Sequence, residues 1–575
     1  MDYKQLISQL VYDNLEALDL TQEQIKYYLS TPPQPDLGDF ALPCFKLSKV
    51  LKNSPINIAD SLARKINQKP LPAELDKINA VNGYLNFYLN RPKFIKDVVD
   101  GYKNGAPKTD LGQGRVICID YSSINIAKHF HMGHLSTTAI GGSLYRIFNY
   151  LGYKSIGINH LGDFGTQFGK LICAYKMWSS PQKLEKNGLN ELHELYTRYH
   201  KKANTNPELD DIAREWSKKI EQNDPEAVQI YQKFKEITLE NIGKIYQRLG
   251  ISFDSYLGES FFADKVGPVV QKLEQKNLIQ ISDGAKVVNL DKYDMPPCLI
   301  LRSDGASLYA TRDLAAAIYR KDTYDFYKCL YVVAYQQNLH FRQLFKVLEL
   351  MGYEWAKDLV HVSYGMVSLE DGAMSTRGGK MVKLIDVLDK AVEKIKNIIK
   401  EKNPNAKDID QIAEAVGVGA VIFSSLCNSK IKDIVFTWDR ALNFEGESGP
   451  YLQYTHARCC SVLKKSGADY NNFLLPQSLQ DVKADFDIDD NTWTLIKHID
   501  AFFDKIVLAA QDYEPSIIAN AIMDIAKGYN KFYFDYKILD DDPKIQKARL
   551  LITLAVKNCL KTGMELLLLK PIEQM

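Results

Sequence analysis

Apolar and polar positions alternate along the N-terminal part of the chain. Residues 84–90, YLNFYLN, are apolar at every second position, which is the period of a strand. The segment at 3–18 has helical periodicity, and a polar stretch with glycine and proline follows the strand at 104–114. These patterns predict a small α+β domain over residues 1–108.

The pattern changes after residue 108. A short apolar run at 115–121 (RVICIDY) suits a buried parallel strand, an apolar stripe at 135–151 suits a helix, and a second run follows at 154–160. This order predicts a right-handed βαβ unit. Further strand candidates are CLILRS at 298–303, CLYVVAY at 329–335 and HVSYGMV at 361–367.

Helical patterns separate these strand candidates along the chain. Their alternation predicts a doubly wound, Rossmann-type α/β domain over residues 109–445. A charged, strandless stretch at about 175–250 predicts a helical insertion into that domain. From 446 to 575 nearly every segment has helical periodicity, which predicts a C-terminal all-α bundle.

Composition is that of an ordinary globular protein, with 46% hydrophobic and 25% charged residues. The net charge of +1 argues against a tail-driven polyanion binder but allows a local basic groove among the 72 Lys and Arg. The N-terminus lacks a signal-peptide core, and no apolar run approaches the roughly 18 residues of a membrane span. We therefore expect a cytoplasmic protein with no membrane partner.

The nine cysteines are scattered and form no Cys-x-x-Cys pair. An odd count without a spacing pattern favours a reduced protein with no protein-bound structural metal. Candidate chemistry must therefore come from other residue types.

One cluster, NIAKHFHMGHL at 125–135, holds three histidines and a lysine. It follows the first strand of the predicted α/β domain and precedes a helix, where such folds bind ligands. Helix N-termini attract anions, and Gly133 permits a ligand to approach the backbone closely. His131 and His134 are three residues apart, so one helical turn would direct both side chains toward the site.

The residues alone allow three interpretations of this cluster. A metal site would need further ligands, and no cysteine or His-x-x-x-His partner is nearby. Surface or capping histidines are the ordinary alternative. In the third interpretation, His131, His134 and Lys128 stabilise charge that develops during phosphate transfer, and His129 is incidental.

The longer stretch DYSSINIAKHFHMGHLSTT at 120–138 resembles the signature of class I aminoacyl-tRNA synthetases, in particular the arginyl-tRNA synthetase version. This resemblance implies that His131, Gly133 and His134 contact ATP. It also implies that Ser123 and Asn125 belong to an arginine site.

A second phosphate loop is expected downstream in such an enzyme, and HVSYGMVSLEDGAMSTRGGKMVKL at 361–384 fits it. The family pattern has lysine where this chain has Ala373 and Thr376, so Lys128 becomes the best candidate for the missing charge. An ordinary basic surface turn is the alternative. The resemblance implies that the loop contributes Met374 and Ser375 to ATP binding and Arg377 and Lys380 to catalysis.

The substrate arginine needs a carboxylate and hydrogen-bond acceptors around its guanidinium group. Tyr309 and Asp313 are four residues apart and would share a helix face, and Gln337 follows a predicted strand. The resemblance places all three in the arginine site. Alternatively, Asp313 caps a helix or pairs with Arg312 at the surface.

The segment NHLGDFGTQFG at 159–169 also matches the family. It implies that His160, Asp163 and Gln167 line the floor of the active site. A purely structural glycine turn is the close alternative.

Binding of tRNA is expected at ESGPYLQYTHARCCSVLKK, 447–465, where aromatic and basic residues interleave. Tyr451, Tyr454 and Arg458 are the candidates, and core tyrosines of an amphipathic helix are the alternative. The first 108 residues resemble the N-terminal domain of these synthetases, which approaches the tRNA elbow.

Taken together, the resemblance implies an enzyme that attaches arginine to tRNA(Arg) through an arginyl-adenylate, releasing AMP and pyrophosphate. ATP with Mg²⁺ is then a substrate, and we expect a monomer. One alternative is a class I synthetase for another amino acid, such as the cysteine enzyme, which normally uses a cysteine-rich zinc site. The other is a non-catalytic tRNA-binding paralogue.

Overall fold

A computed structural model describes residues 3–15, 20–32, 34–306, 309–369, 382–402, 404, 407–467 and 489–575. The chain forms two compact units. The first comprises Met1–Pro107, Cys459–Ala501 and Asp524–Cys559; the second comprises Lys108–Arg458, Phe502–Met523 and Leu560–Met575.

The N-terminal part of the first unit is an antiparallel three-stranded sheet with helices. Its helices are α1 (Tyr3–Tyr12), α2 (Gln22–Tyr28), α3 (Ser48–Leu51), α4 (Pro55–Asn67) and α5 (Arg91–Tyr102), and its strands are β1 (Phe40–Pro43), β2 (Leu75–Val81) and β3 (Tyr84–Leu89). The strand order is β1-β3-β2. This confirms the predicted strand at 84–90, which occupies the centre of the sheet.

The second unit contains the remaining strands. They are β4 (Val116–Asp120), β5 (Lys154–Ile158), β6 (Ile279–Ser282), β7 (Ala285–Val288), β8 (Cys298–Leu301), β9 (Lys328–Ala334), β10 (Leu359–Tyr364), β11 (Val367–Leu369) and β12 (Ile434–Phe436). Four of them form a parallel sheet in the order β10-β9-β4-β5. The order reverses between β4 and β9, which is the point where doubly wound sheets bind ligands.

The helices that follow the first sheet are α6 (Leu135–Tyr150), α7 (Thr166–Trp178), α8 (Pro181–Asn187), α9 (Leu189–Ala203), α10 (Glu208–Glu221), α11 (Pro225–Leu249), α12 (Glu259–Phe262), α13 (Val266–Gln275), α14 (Tyr309–Tyr324), α15 (Asn338–Leu350), α16 (Leu384–Lys402), α17 (Ile409–Leu426), α18 (Trp438–Ala441) and α19 (Gly449–Lys465). The C-terminal region adds α20 (Asp490–Gln511), α21 (Ser516–Asp535) and α22 (Pro543–Leu566). Helix α6 packs on β4, β5 and β9.

The predicted helical insertion is present as α7 to α11. Its last and longest helix, α11, begins at the N-cap Asp224, which accepts a hydrogen bond from the Ala227 N–H at 3.0 Å. It ends at Gly250, whose φ of 66° is the left-handed conformation that terminates helices. Local capping signals therefore define both ends of this helix.

Two predictions about the α/β region need correction. The CLILRS strand exists as β8, but it pairs antiparallel with β7 in the separate sheet β6-β7-β8. The assignment of this strand to the parallel sheet was wrong, because β6, β7 and β8 follow one another along the chain and pair antiparallel as a meander. The second correction concerns the prediction that no apolar run approaches the length of a membrane span. Helix α17 is long and apolar enough to cross a bilayer, although 67% of it is buried inside the protein.

Candidate active site

The loop between β4 and α6 carries the histidine cluster and has an unusual backbone. Three of its non-glycine residues adopt left-handed conformations, Ser122 at φ 70°, Ser123 at φ 42° and Ala127 at φ 62°. Such conformations cost free energy, of order 1–3 kcal/mol each, and persist where surrounding structure fixes them. The loop is therefore held in place by its tertiary contacts.

Helix α11 of the insertion supplies part of that support. The Tyr246 hydroxyl lies 2.7 Å from the Ser122 hydroxyl, and Asn159 donates a hydrogen bond to Tyr246 at 2.8 Å. Farther along the loop, the Ala127 N–H donates to the Thr238 hydroxyl at 3.0 Å. The insertion thus packs directly on the loop between β4 and α6, which the sequence did not reveal.

His131 and His134 are held in one orientation by backbone hydrogen bonds. The N–H of Gly133 donates to Nδ1 of His131 at 3.1 Å, and the N–H of His131 donates to Nδ1 of His134 at 3.2 Å. The two rings stack with their centroids 3.8 Å apart. Since a nitrogen that accepts a hydrogen bond carries no proton, each neutral ring bears its proton on Nε2.

Both rings are neutral near pH 7. Burial, with His131 and Lys128 nearby, lowers the pKa of His134 to about 3. Burial and Lys128 also lower the pKa of His131. The pair can therefore serve as two hydrogen-bond donors through Nε2, while Lys128 supplies the positive charge beside them.

The neighbouring His129 has a different environment. Its ring centroid lies 5.0 Å from that of His193 on α9. Burial, with Lys383 and His193, lowers its pKa to about 4. The contact is a packing contact with the insertion, consistent with its interpretation as incidental to the chemistry.

The described residues on either side of the predicted second phosphate loop contact the loop that carries the histidines. After it, the N–H of Leu384 donates to the Phe130 carbonyl at 2.9 Å, and the N–H of Met132 donates to the Val382 carbonyl at 3.2 Å. Before it, β11 contacts the turn that carries His134. The predicted Met374, Ser375, Arg377 and Lys380 lie outside the described residues.

Ser123 and Asn125 lie at the carboxyl end of β4. The Ser123 hydroxyl donates to the Asp120 carboxylate at 2.7 Å. Asn125 pairs with Gly162, where an added Cβ would lie 2.0 Å from Asn125 Oδ1. A glycine at 162 is therefore required for Asn125 to occupy its place.

Asp313 lies on α14 between two histidines. His340 Nε2 is 2.7 Å from Asp313 Oδ2, and His160 Nε2 is 3.8 Å from Oδ1. Burial would raise the pKa of Asp313, but His340, His160 and Arg320 offset that effect and leave it below its ordinary value. Asp313 is therefore an ionised carboxylate, and His340 orients it.

The sequence did not single out Glu259, a second carboxylate beside Asp313. Glu259 is mostly buried and accepts hydrogen bonds from Arg312 at 3.2 and 3.0 Å. Burial raises its pKa to about 7; Arg312 opposes that shift and Asp313 adds to it. A glutamate in a first helical turn is ordinary, so no sequence signal distinguished it.

The structure does not bring all the predicted arginine ligands together. Helix α14 begins at Tyr309, as the spacing requires, but Tyr309 is 66% exposed and its ring faces Arg312, whose Cζ is 5.2 Å from the centroid. Gln337 is exposed in the turn after β9. Neither side chain forms a hydrogen bond to Asp313 within the described residues.

The residues predicted to line the active-site floor lie in two different environments. His160 follows β5 and has two buried ring nitrogens that form no hydrogen bond within the described residues, while Gln167 is half-buried at the start of α7. Asp163 is 1% exposed, and its carboxylate accepts hydrogen bonds from Lys235 and from the backbone and hydroxyl of Ser260, all at 2.8 Å. The Asp163 carboxylate thus faces protein partners.

The predicted tRNA contacts lie along one face of α19. Tyr454 is exposed, and the Arg458 guanidinium lies 4.9 Å from its ring centroid. Tyr451, one turn earlier, is half-buried. By contrast, His456 is buried and its Nδ1 lies 2.8 Å from the Ile572 carbonyl, so it anchors the C-terminal tail.

No group of three or more His, Cys, Asp or Glu side chains that could hold a metal ion occurs among the residues that the structure describes.

Three family models match consecutive parts of the chain. The catalytic domain of class I tRNA synthetases (R) matches residues 100–438, the DALR anticodon binding domain matches 452–575, and the arginyl tRNA synthetase N-terminal domain matches 5–89. The arginine–tRNA ligase of Clostridioides difficile is 48% identical over 570 residues, covering 98% of each chain. That of Halothermothrix orenii is 46% identical and covers 100% of each.

The chain belongs to the arginyl-tRNA synthetases. Solved structures agree with the fold of this family. Arginyl-tRNA synthetase from Thermus thermophilus superimposes with a TM-score of 0.82 at 23% identity, and that from Plasmodium falciparum with 0.80 at 23%, each over 100% of this chain. The predicted class I fold, with an N-terminal domain and a helical C-terminal domain, is confirmed, as is the predicted enzyme class, an arginine–tRNA ligase.

Proposed function

We propose that the two stacked histidines catalyse the ATP-dependent activation of arginine as neutral donors. The observation that carries this proposal is that both Nδ1 atoms accept backbone N–H groups, which leaves both Nε2–H groups as the donors of the two rings. Fixed neutral donors stabilise developing phosphate charge without the desolvation cost of a buried cation.

In the first step, a carboxylate oxygen of arginine attacks the α-phosphorus of ATP, and pyrophosphate leaves. His131 and His134 donate to the oxygens of the pentavalent phosphorus, and Gly133 allows ATP to approach. The 3′-terminal adenosine hydroxyl of tRNA(Arg) then attacks the arginyl carbonyl, and AMP leaves. Magnesium enters with ATP as part of that substrate.

Lys128 supplies positive charge to the departing pyrophosphate. Within the described residues it has no ion-pair partner, and it lies close enough to affect the pKa of both histidines. Arg377 and Lys380 act with it, and Met374 and Ser375 bind ATP, because both ends of their loop are fixed beside the first motif.

The guanidinium of the substrate binds between Asp313 and Glu259. Asp313 contributes to the raised pKa of Glu259, so the two carboxylates lie within electrostatic reach of each other, and a cation between them relieves their repulsion. Around this pair we assign the remaining arginine-site and floor positions, namely Ser123, Asn125, Tyr309, Gln337, His160, Asp163 and Gln167. Asp163 acts by holding the floor in place.

The rest of the chain binds tRNA. We assign residues 1–108 to contact with the tRNA body, 109–445 to catalysis and 446–575 to anticodon recognition. Tyr451, Tyr454 and Arg458 present aromatic and cationic groups that suit unpaired bases and phosphates. We propose that the enzyme acts as a cytoplasmic monomer.

ATP–pyrophosphate exchange with each amino acid, with and without tRNA, tests the proposal. We expect exchange with arginine, and we expect bound tRNA to be required for it. Exchange with a different amino acid would contradict the specificity. No exchange from folded protein under any condition would favour the non-catalytic paralogue.

Asp313→Asn tests the pocket itself. The variant keeps the shape but loses the charge, so we expect the KM for arginine to rise about 100-fold or more, since a buried guanidinium–carboxylate pair contributes several kcal/mol. Asp304→Asn, an exposed carboxylate near the same helix, is the control. A near-normal KM for arginine in Asp313→Asn would remove Asp313 from the pocket.

A further inference from the structure

Asp120 connects two segments that the proposed function places around the substrate. It is the last residue of β4 and is 6% exposed. Its Oδ1 accepts the Ser123 hydroxyl at 2.7 Å, and its Oδ2 accepts the Arg320 guanidinium at 2.7 Å. Both carboxylate oxygens are therefore bonded, each to a different segment.

Arg320 carries the second of these connections to α14. It is 2% exposed, and its guanidinium lies 5.3 Å from the centroid of the Tyr331 ring on β9. Arg320 follows Asp313 by seven residues on the same helix, which places the two on one face, two turns apart. A rigid helix transmits the position of Arg320 to Asp313.

The two partners of Asp120 belong to opposite halves of the arginine pocket. Ser123 belongs to the loop after β4, where the backbone is left-handed at φ 42°. Asp313 belongs to α14, which is separated from β4 by the whole insertion. Among the described contacts, Asp120 is bonded to both halves at once.

We propose that Asp120 is a positioning residue that fixes the distance between the loop half and the α14 half of the arginine pocket. This inference rests on the proposed function, because it presumes that Ser123 and Asp313 face the same substrate. Asp120 does not contact arginine itself. It acts through Ser123 and through Arg320.

The alternative is a buried ion pair that only stabilises the fold. Loss of such a pair would lower the thermal stability and leave the KM of the folded enzyme for arginine unchanged. A clamp, meaning a contact that fixes the distance between the two halves of the pocket, has a different effect. A guanidinium must meet its partners at a set distance and angle, so small misplacements weaken its binding strongly. Its loss should therefore raise the KM for arginine selectively.

Arg320→Lys is the first test, since lysine keeps the charge but loses the planar fork that holds the carboxylate. In ATP–pyrophosphate exchange with tRNA we expect the KM for arginine to rise about tenfold and the KM for ATP to change less than about twofold. The control is Arg214→Lys, which alters an exposed ion pair to Asp211 on α10 of the insertion. It should change neither constant.

Equal changes in both KM values, or a loss of thermal stability with an unchanged KM for arginine, would overturn the clamp. If Arg320→Lys does not fold, Asp120→Glu takes its place with the same expectation. That variant keeps both charges and moves the carboxylate by one methylene.

A double-mutant cycle of Ser123→Ala with Arg320→Lys gives an independent measurement. If both residues act through Asp120, the double variant should raise the KM for arginine little beyond the larger single effect. A KM for arginine that rises by the product of the two single-variant fold-changes would contradict the proposal.

Asp313→Asn separates failure of the clamp from failure of the pocket. A normal KM for arginine in that variant would contradict the proposed pocket, and with it the clamp. A raised KM there, beside a normal KM in Arg320→Lys, would reject the clamp and leave the pocket standing.

Discussion

The histidine-bearing loop at 121–134 and helix α19 were both predicted to bind a substrate, yet the fold positions them in opposite ways. The loop is fixed by remote partners, such as Tyr246, which lies 124 residues from Ser122 in sequence. In α19, the exposed Tyr454 and the neighbouring Arg458 are placed by the helix period itself. The loop depends on tertiary structure, whereas the helix face depends mainly on local structure.

This difference suits the two tasks. Transition-state stabilisation needs donors that are already oriented before the reaction, and the bonded Nδ1 atoms of His131 and His134 provide that. Binding of tRNA bases needs adaptable contacts spread over a surface, each of modest strength. We therefore expect single changes in the loop to reduce kcat strongly and changes on α19 to affect mainly the KM for tRNA.

The largest effect is expected at His134. In His134→Asn, the side-chain oxygen can still accept the His131 N–H, but the donor at the Nε2 position is lost. We expect kcat for arginine activation to fall about 100-fold or more, as for loss of one transition-state donor, with little change in the KM for tRNA. Steady-state ATP–pyrophosphate exchange measures both.

His134→Gln is the matched variant, because its amide nitrogen reaches toward the Nε2 position of the lost imidazole. It should recover part of the lost rate. If His134→Asn is nearly as active as the natural enzyme, the role of His134 is to cap the backbone, and the neutral-donor mechanism is wrong.

A smaller effect is expected from the support of the loop. Thr238→Val keeps the shape of the side chain but removes the oxygen that accepts the Ala127 N–H. A buried N–H left unpaired costs about 1–3 kcal/mol, and Ala127 loses a contact that holds its left-handed conformation. We therefore expect kcat to fall about tenfold. Rapid-quench measurement of adenylate formation follows this step directly.

Thr197→Val is its control, since the exposed Thr197 hydroxyl donates a hydrogen bond to the His193 carbonyl of its own helix in the insertion. The control should leave kcat unchanged. An equal loss of rate in both variants would mean that the insertion responds as a whole and that Thr238 has no special role.

Sequence patterns predicted the elements that have a local periodicity of their own. The βαβ unit from β4 to β5, the strandless insertion and the helical C-terminal region were predicted because each has its own period and its own caps. The candidate residues His131, His134 and Asp313 were assigned from the resemblance of their motifs to the synthetase family, and their roles stay predictions.

The features that the sequence did not predict are contacts between residues far apart in the chain. His340 and Glu259 flank Asp313 from two other helices, and neither has an unusual local context. The same reason explains β8, whose apolar run does not specify which sheet it joins. Tyr309 was assigned to the face of Asp313 by spacing, but at the first turn of α14 it turns outward to Arg312.

The buried imidazoles of the loop also predict a dependence of stability on pH. Burial lowers the pKa of His129 to about 4 and of His134 to about 3, against 6.5 in the unfolded chain. The unfolded chain therefore binds more protons below pH 6.5, so the free energy of unfolding falls as pH drops from 6.5 toward 4. His129→Gln should flatten part of this slope in thermal denaturation, and an unchanged slope would contradict the burial of His129.

The smallest effect is expected on α19. Tyr454→Ala removes an exposed ring that lies against Arg458. Stacking of one base contributes about 1–3 kcal/mol, so we expect the KM for tRNA in aminoacylation to rise about fivefold or more while the KM for arginine stays constant. Tyr327→Ala is a matched control, because Tyr327 is 42% exposed and the Arg115 guanidinium lies 4.4 Å from its ring centroid. If both variants leave the KM for tRNA unchanged, an exposed tyrosine–arginine pair on α19 is ordinary surface, and the helix face lacks the role that its periodicity suggested.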